Sequence, residues 1–256
     1  MTLSDYGESL AYDVAFWMQG LLEPGYPVNE LGKLSLEVAD KLRSLAIIVL
    51  LTEAESDLFF HNLIRSGRAR NAYLQRLRDG GINDDHHQSS GRYESLLDAI
   101  AAGDLELARS IAALSPVEFR AGHEYEDDYC YAQVLHRFVM IPPGDTEIPP
   151  LLERWEGYLD GQPSGRLDVC RALLNAEQGA FDAAFDDLLG EQDRQIAKNK
   201  ARGQLEEPQV VAQREVFVEG LALLRIAESR GLVTQSDYRY CPALARLAMV
   251  QPFPGE

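Results

Sequence analysis

Apolar residues recur at three- and four-residue intervals along most of the chain, with no sustained alternation at two. That spacing predicts helices and little or no sheet. The clearest stretch is Tyr93 to Met140. Leu96, Leu97, Ile100 and Ala101 share one helical face, Gly103 can supply a positive-φ stop, and Asp104 can cap the next helix. Leu105, Leu107, Ala108, Ile111, Ala112 and Leu114 resume the period until Pro116 ends it. A third helix is predicted from Glu124 to Met140. Its first turns carry Glu124, Glu126, Asp127 and Asp128 among Tyr125, Tyr129 and Tyr131, so an acidic, tyrosine-rich helix start is displayed on a helical hairpin.

The same reading extends to both ends. Leu10, Val14, Trp17 and Met18 mark an amphipathic helix from Asp5 to Met18, stopped by Gly20 or by Pro24-Gly25. From Glu30 to Leu51 the pattern begins amphipathic and ends in LAIIVLL, apolar on every side, as expected of a helix at the centre of a bundle. Glu53 to Leu77 continues helical with an interruption near Ser66-Gly67. Asp79 to Gly91 has no apolar period and predicts an exposed, mobile loop. IPPGDTEIPP, residues 141–150, reads as neither helix nor central strand and is the candidate lobe boundary of an otherwise single domain spanning 1–256. Beyond it, Leu167 to Glu177 and Phe181 to Leu189 form a second hairpin around Gly179-Ala180. The two turns lie too far apart for a tetratricopeptide period. One long helix is predicted from Gln209 to Arg230, and a last short one from Tyr238 to Val250 that docks as a lid. The expected fold is all-α, a multi-helix bundle built from helical hairpins.

Charge narrows the function. Asp and Glu number 41 against 24 Lys and Arg, a formal net charge of -17, which argues against a nucleic-acid backbone as partner and suits a basic one. Arg65, Arg68, Arg70, Arg76 and Arg78 form one short basic run. They either brace acidic helices within the fold or lie on a solvated face. Cys130, Cys170 and Cys241 are odd in number and sit in apolar helical contexts, which predicts reduced, buried thiols. The N-terminus lacks the basic region and apolar core of a signal peptide, and no apolar run approaches the roughly 20 residues a membrane helix needs. A cytoplasmic protein without a membrane partner is expected.

Catalytic and metal-binding patterns are weak. Asp186, Asp187 and Glu191 invite comparison with magnesium-binding helices of isoprenoid cyclases, but the second motif is missing. His86-His87 beside Asp84-Asp85 reads as a polar loop tip, and no paired E-x-x-H exists for a carboxylate-bridged metal pair. His123, Glu124, Asp128 and His136 are the one grouping suited to acid–base work, although helix-dipole stabilisation accounts for acids in a first turn. No cofactor is expected. What remains is a binding surface, since tyrosine supplies buried area at interfaces and carboxylates steer a basic partner. A tetratricopeptide-like scaffold binding peptides and a metal-dependent all-α enzyme stay as alternatives.

AIAAGDLELARSIAALSP, HEYEDDYCYAQVL, FDAAFDDLL and LALLRIAESRGL with CPAL after it, in order from Leu36 to Leu247, resemble the all-α immunity proteins encoded beside bacterial polymorphic and type VI secretion toxins, in particular immunity protein family forty-nine. The resemblance implies a cytoplasmic, non-enzymatic protein that binds one cognate toxin domain and blocks it. The acidic balance independently suits a nuclease or another basic toxin domain. Glu124, Tyr125, Glu126, Asp127 and Asp128 are then expected to form one part of the interface, with Asp182, Asp186, Asp187 and Glu191 a second patch.

Overall fold

A computed structural model describes residues 2–140, 146–203 and 208–254. Among these residues there is no strand, only isolated bridges pairing Ala121 with Glu124 and Tyr238 with Cys241. The fold is all-α.

Three long helices make one layer. Helix α1 (Leu3–Leu22) starts at a capping box in which Thr2 and Asp5 satisfy each other's backbone N–H. Helices α2 (Val28–Glu53) and α3 (Ser56–Asp79) form a hairpin turned by Ala54 in the left-handed region. Within the apolar run of α2, Ala46, Ile47, Ile48 and Leu50 are buried while Leu51 is exposed, so its end lies at the edge of the core. Helix α3 runs through Ser66-Gly67 without the expected interruption. Gly67 instead permits close approach, since a Cβ there would sit 2.8 Å from Leu107 and 3.3 Å from Ala99.

The second layer holds the short hairpin α4 (Glu94–Ala101) and α5 (Leu105–Leu114), turned as predicted by Gly103 at φ +80° and capped by the Asp104 carboxylate. Every residue of α4 from Ser95 to Ala101 is buried, because α4 packs between α3 and α11 (Val218–Ser229). Helices α6 (Glu126–Met140), α7 (Ile148–Leu159), α8 (Gly165–Asn175) and α9 (Gln178–Ala201) extend the packing from α5, and α10 (Pro208–Glu215) lies on α2.

Several expected elements differ. The second hairpin turns at Ala176, left-handed at φ 50°, and Gly179 lies inside the first turn of α9. The long C-terminal helix is broken at Val216-Phe217, where the Phe217 N–H donates to the Tyr240 carbonyl at 2.7 Å. Of residues 141–150, 141–145 lie outside the described residues, and Ile148, Pro149 and Pro150 start α7, since proline fits a first helical turn. The lid helix is instead a 3-10 turn, Ala243–Arg246, followed by an extended tail. Asp57 on α3 holds that tail by accepting the N–H groups of Val250 and Gln251.

The 79–91 loop is the largest departure. Its second half forms a 3-10 turn at His86–Gln88, and Gln88, Ser89 and Ser90 are buried. Buried Arg70 donates to the carbonyls of His87, Gln88 and Ser89 at 2.6, 3.1 and 3.1 Å. Arg76 donates likewise to the carbonyls of Glu23, Pro24 and Tyr26. These arginines of the basic run therefore brace loop backbone, not acidic helices.

Candidate functional site

The loop before α4 and the loop before α6 meet at one carboxylate. Glu124 accepts from the Gly91 N–H at 2.7 Å, the Ser90 hydroxyl at 3.1 Å and the Arg120 N–H at 3.3 Å. It precedes α6 and acts as a clamp between two loops. Asp128, in the first turn of α6, accepts from the Tyr93 hydroxyl at 3.1 Å and lies 4.0 Å from Arg166. Burial pushes its carboxyl above the ordinary range, against the lowering effect of the Tyr93 hydrogen bond. Glu126 pairs with Arg154 at 2.7 Å.

The tyrosines divide by helical phase. Tyr129 is buried and donates to the Val117 carbonyl, and Tyr131 is fully buried and donates to Glu219 at 3.0 Å. Tyr125 is 72% exposed. Three of the five residues in the first predicted patch thus have partners within the chain. The side chains of Tyr125 and half-buried Asp127 make no hydrogen bond or ion pair among the described residues.

Behind this surface lies an ion pair whose residues sequence reasoning did not single out. Arg166 of α8 grips Glu219 of α11 through two hydrogen bonds, at 2.6 and 2.7 Å, and its guanidinium lies over the Tyr93 and Tyr131 rings at 5.6 and 5.1 Å. Burial opposes the charge on Arg166, but the Glu219 carboxylate outweighs it and holds the guanidinium well above its ordinary pKa. Arg43 of α2 pairs at 2.7 Å with buried Asp98 of α4, which also accepts from Ser66, and Arg43 donates to the Glu94 carbonyl. A signal for both acids was present: Asp98 sits between Leu96-Leu97 and Ala99-Ile100-Ala101, and Glu219 between Val218 and the run from Leu221 to Leu224, each a carboxylate in an apolar stretch.

Three depressions ring the first turn of α4. One of about 460 Å³ is walled by Arg92, His123, Glu124, Tyr125 and Asp128. Arg92 also lines a second, of about 180 Å³, with Asp40, Arg43 and Glu94, and the last two line a third, of about 250 Å³, with Arg166 and Glu219. Since Arg43 and Arg166 are matched by Asp98 and Glu219, the remaining charges lining the rim are Asp40, Glu94, Glu124 and Asp128 against Arg92. The rim is net acidic.

The second predicted patch stands elsewhere, on α9. Asp186 and Asp187 are exposed and have no partner among the described residues. Asp182 accepts from Gln178, and Glu191 accepts the Gly165 N–H at the start of α8. His136 does not join Glu124 and Asp128 in an acid–base group. It is buried in α6, and burial, with Arg137 and Arg70, pushes its pKa down to about 3. Among the described residues no group of three or more His, Cys, Asp or Glu side chains is arranged to hold a metal ion, and no helix is long and apolar enough to cross a membrane.

No curated protein and no solved structure matches the chain. Residues 36–245 match the sequence model of the family described as Immunity protein 49. That span runs from α2 through the 3-10 turn at Ala243–Arg246 and takes in the α4 rim, the Arg166–Glu219 pair and the acidic face of α9. The chain belongs to the immunity protein 49 family, and its general role is that of an immunity protein.

Proposed function

We propose that this protein neutralises one cognate toxin domain by docking the surface around the first turn of α4 against a basic face of that toxin. The observation that carries the reading is the family match over residues 36–245, and the rim geometry supports its location. Tyr125 supplies exposed aromatic area in the depression it shares with Arg92, Glu94 lines the next one, and Asp127 lies two residues beyond Tyr125. Such a pairing gives contact area at the centre and electrostatic steering at the edge. Asp182, Asp186 and Asp187 on α9, with Glu191 at its edge, form the second acidic contact. The partner is a nuclease or similarly basic toxin domain, delivered by a route such as type VI secretion and met in the cytoplasm. The protein blocks it by coverage, with no reaction of its own.

The test is co-expression with the C-terminal domain of the toxin encoded beside it, followed by growth, pull-down and stopped-flow association. A stoichiometric complex that rescues growth supports the reading. Tyr125→Ala combined with Asp127→Lys and Glu94→Lys is expected to slow association about tenfold or more at low salt and to flatten its salt dependence. Rescue and association rates equal to wild type would remove the α4 rim from the interface. The same comparison with Asp186→Lys and Asp187→Lys decides the α9 face.

A further inference from the structure

The family match begins at residue 36 and ends at residue 245. Helix α1 and the extended C-terminal tail both lie outside it, yet they come together on one face of the protein. There they flank a groove of about 500 Å³ floored by Ala11, Val14 and Met18 of α1 and Leu42 of α2, with Arg65 of α3 and Phe253 of the tail on the far bank. Tyr12 and Phe16, one helical turn apart, project from the adjoining face of α1 at 78% and 62% exposure, and Phe16 meets Trp17 edge to face at 5.6 Å. An aromatic ridge therefore runs beside an apolar groove.

The charges divide the same way. Helix α1 has no basic residue, and of its acids Asp5 is tied to the Thr2 cap and Asp13 to Lys41 at 3.2 Å, which leaves exposed Glu8, while the α3 bank carries Arg65 and Arg68. The Arg65 guanidinium bonds to Asn62 at 2.8 Å, and the Arg68 guanidinium lies over the Phe253 ring at 4.3 Å. Burial, and then the neighbouring Arg68, press Arg65 below its ordinary pKa, so an incoming carboxylate would be favoured at that bank.

A ridge beside a groove of matching chemistry, and an acidic bank beside a basic one, are what a two-fold interface requires, because each copy must offer both halves from the same patch. We propose that this face binds a second copy of the chain, α1 of each lying across the groove of the other. Tyr12 and Phe16 then enter the apolar floor of the second copy, and Glu8 faces its Arg65. With 20 residues, α1 is about 30 Å long, enough to span a patch of roughly 800 Å² per copy. Helix α1 and the tail lie outside the span matched by the family, whereas Leu42, Arg65 and Arg68 lie inside it, so the groove joins both.

Sedimentation equilibrium of the full chain from about 1 to about 100 µM decides the matter. Wild type is expected to be a dimer over the upper part of that range. Phe16→Glu, at an exposed position that leaves the helical spectrum and melting temperature unchanged, is expected to weaken dimerisation about 30-fold or more. Glu8→Arg alone should weaken it, and Glu8→Arg combined with Arg65→Glu should restore it, a result that does not depend on the Phe16 variant folding. A monomer at every concentration, a dimer indifferent to these changes, or a monomer in which Phe16→Glu weakens toxin binding instead would each overturn the proposal. Toxin neutralisation by the Phe16 variant separates this outcome from failure of the immunity reading.

Discussion

His136 provides a sharp test of the packing, because its protonation is excluded by the fold. The side chain is 5% exposed within α6, and burial, followed by the positive charges of Arg137 and Arg70, lowers its pKa from 6.5 to about 3. The unfolded chain takes up this proton near the ordinary value, and the folded chain does not until about pH 3. Between those values the unfolded state binds more protons, so stability is lost as pH falls below 6.5. One proton changes stability by at most about 1.4 kcal/mol per pH unit. Two units below the ordinary histidine value the cost is about 3 kcal/mol, or about 1 M in the urea midpoint for a chain of this size. The measurement is urea unfolding of wild type and His136→Leu at pH 7 and pH 4.5. All other titrating groups are common to both proteins, including Asp98, whose carboxyl is raised by burial and so acts with the opposite sign. Relative to wild type, the leucine variant should gain about 3 kcal/mol on acidification. A difference between the two proteins that stays constant across that range would refute the reasoning, since it would mean His136 reaches solvent and titrates normally.

Arg70→Met should cost about 3 kcal/mol in the same urea assay and increase hydrogen exchange at residues 86–91, because the carbonyls of His87, Gln88 and Ser89 lose their charged donor; normal exchange there would show that the loop is held by something else. Glu219→Ala should cost about 2–3 kcal/mol, at the lower end for a buried pair because Arg166 is partly solvated, while Glu219→Gln should recover part of the loss by keeping an acceptor for Tyr131; equal melting temperatures for the two variants would refute the pairing. Burial raises the thiols of Cys130 to about 11 and Cys241 to about 12, and raises Cys170 further still. Iodoacetamide at pH 8 should therefore label none of the three rapidly in the native protein and all three in urea, as mass spectrometry would show.

The hairpin of α4 and α5 was legible in the sequence because its turn is made locally, by Gly103 in a positive-φ conformation and by the Asp104 cap. Where distant groups decide the backbone, periodicity misled. Nothing in QVVAQREVFVEGLALL marks the end of α10, since the Phe217 N–H is taken by the Tyr240 carbonyl, and Gly220 leaves room for Cys241 to approach. The 79–91 loop has Ile82 as its one large apolar side chain and no apolar period, yet its second half is buried, because Arg70 and the Tyr73–Asp85 hydrogen bond hold it by polar contacts. Hydrophobic spacing carries no information about that kind of burial.

The acidic start of α6 shows the same limit where it bears on function. Five adjacent residues read as one displayed surface, but besides the nearby Arg120 N–H the donors that claim Glu124 and Asp128 are Ser90, Gly91 and Tyr93, more than 30 positions earlier. Reversing either charge would open the junction of two loops, or unseat Tyr93 from beside Arg166, before it said anything about a partner. A loss of toxin binding in such a variant is therefore ambiguous between fold and interface. The side chains of Tyr125, Asp127 and Glu94 make no hydrogen bond or ion pair among the described residues, so changing them leaves that junction intact. In the proposed interface one helix start would supply both parts: the carboxylates of Glu124 and Asp128 fix the loops, and the side chains of Tyr125 and Asp127 remain for a partner.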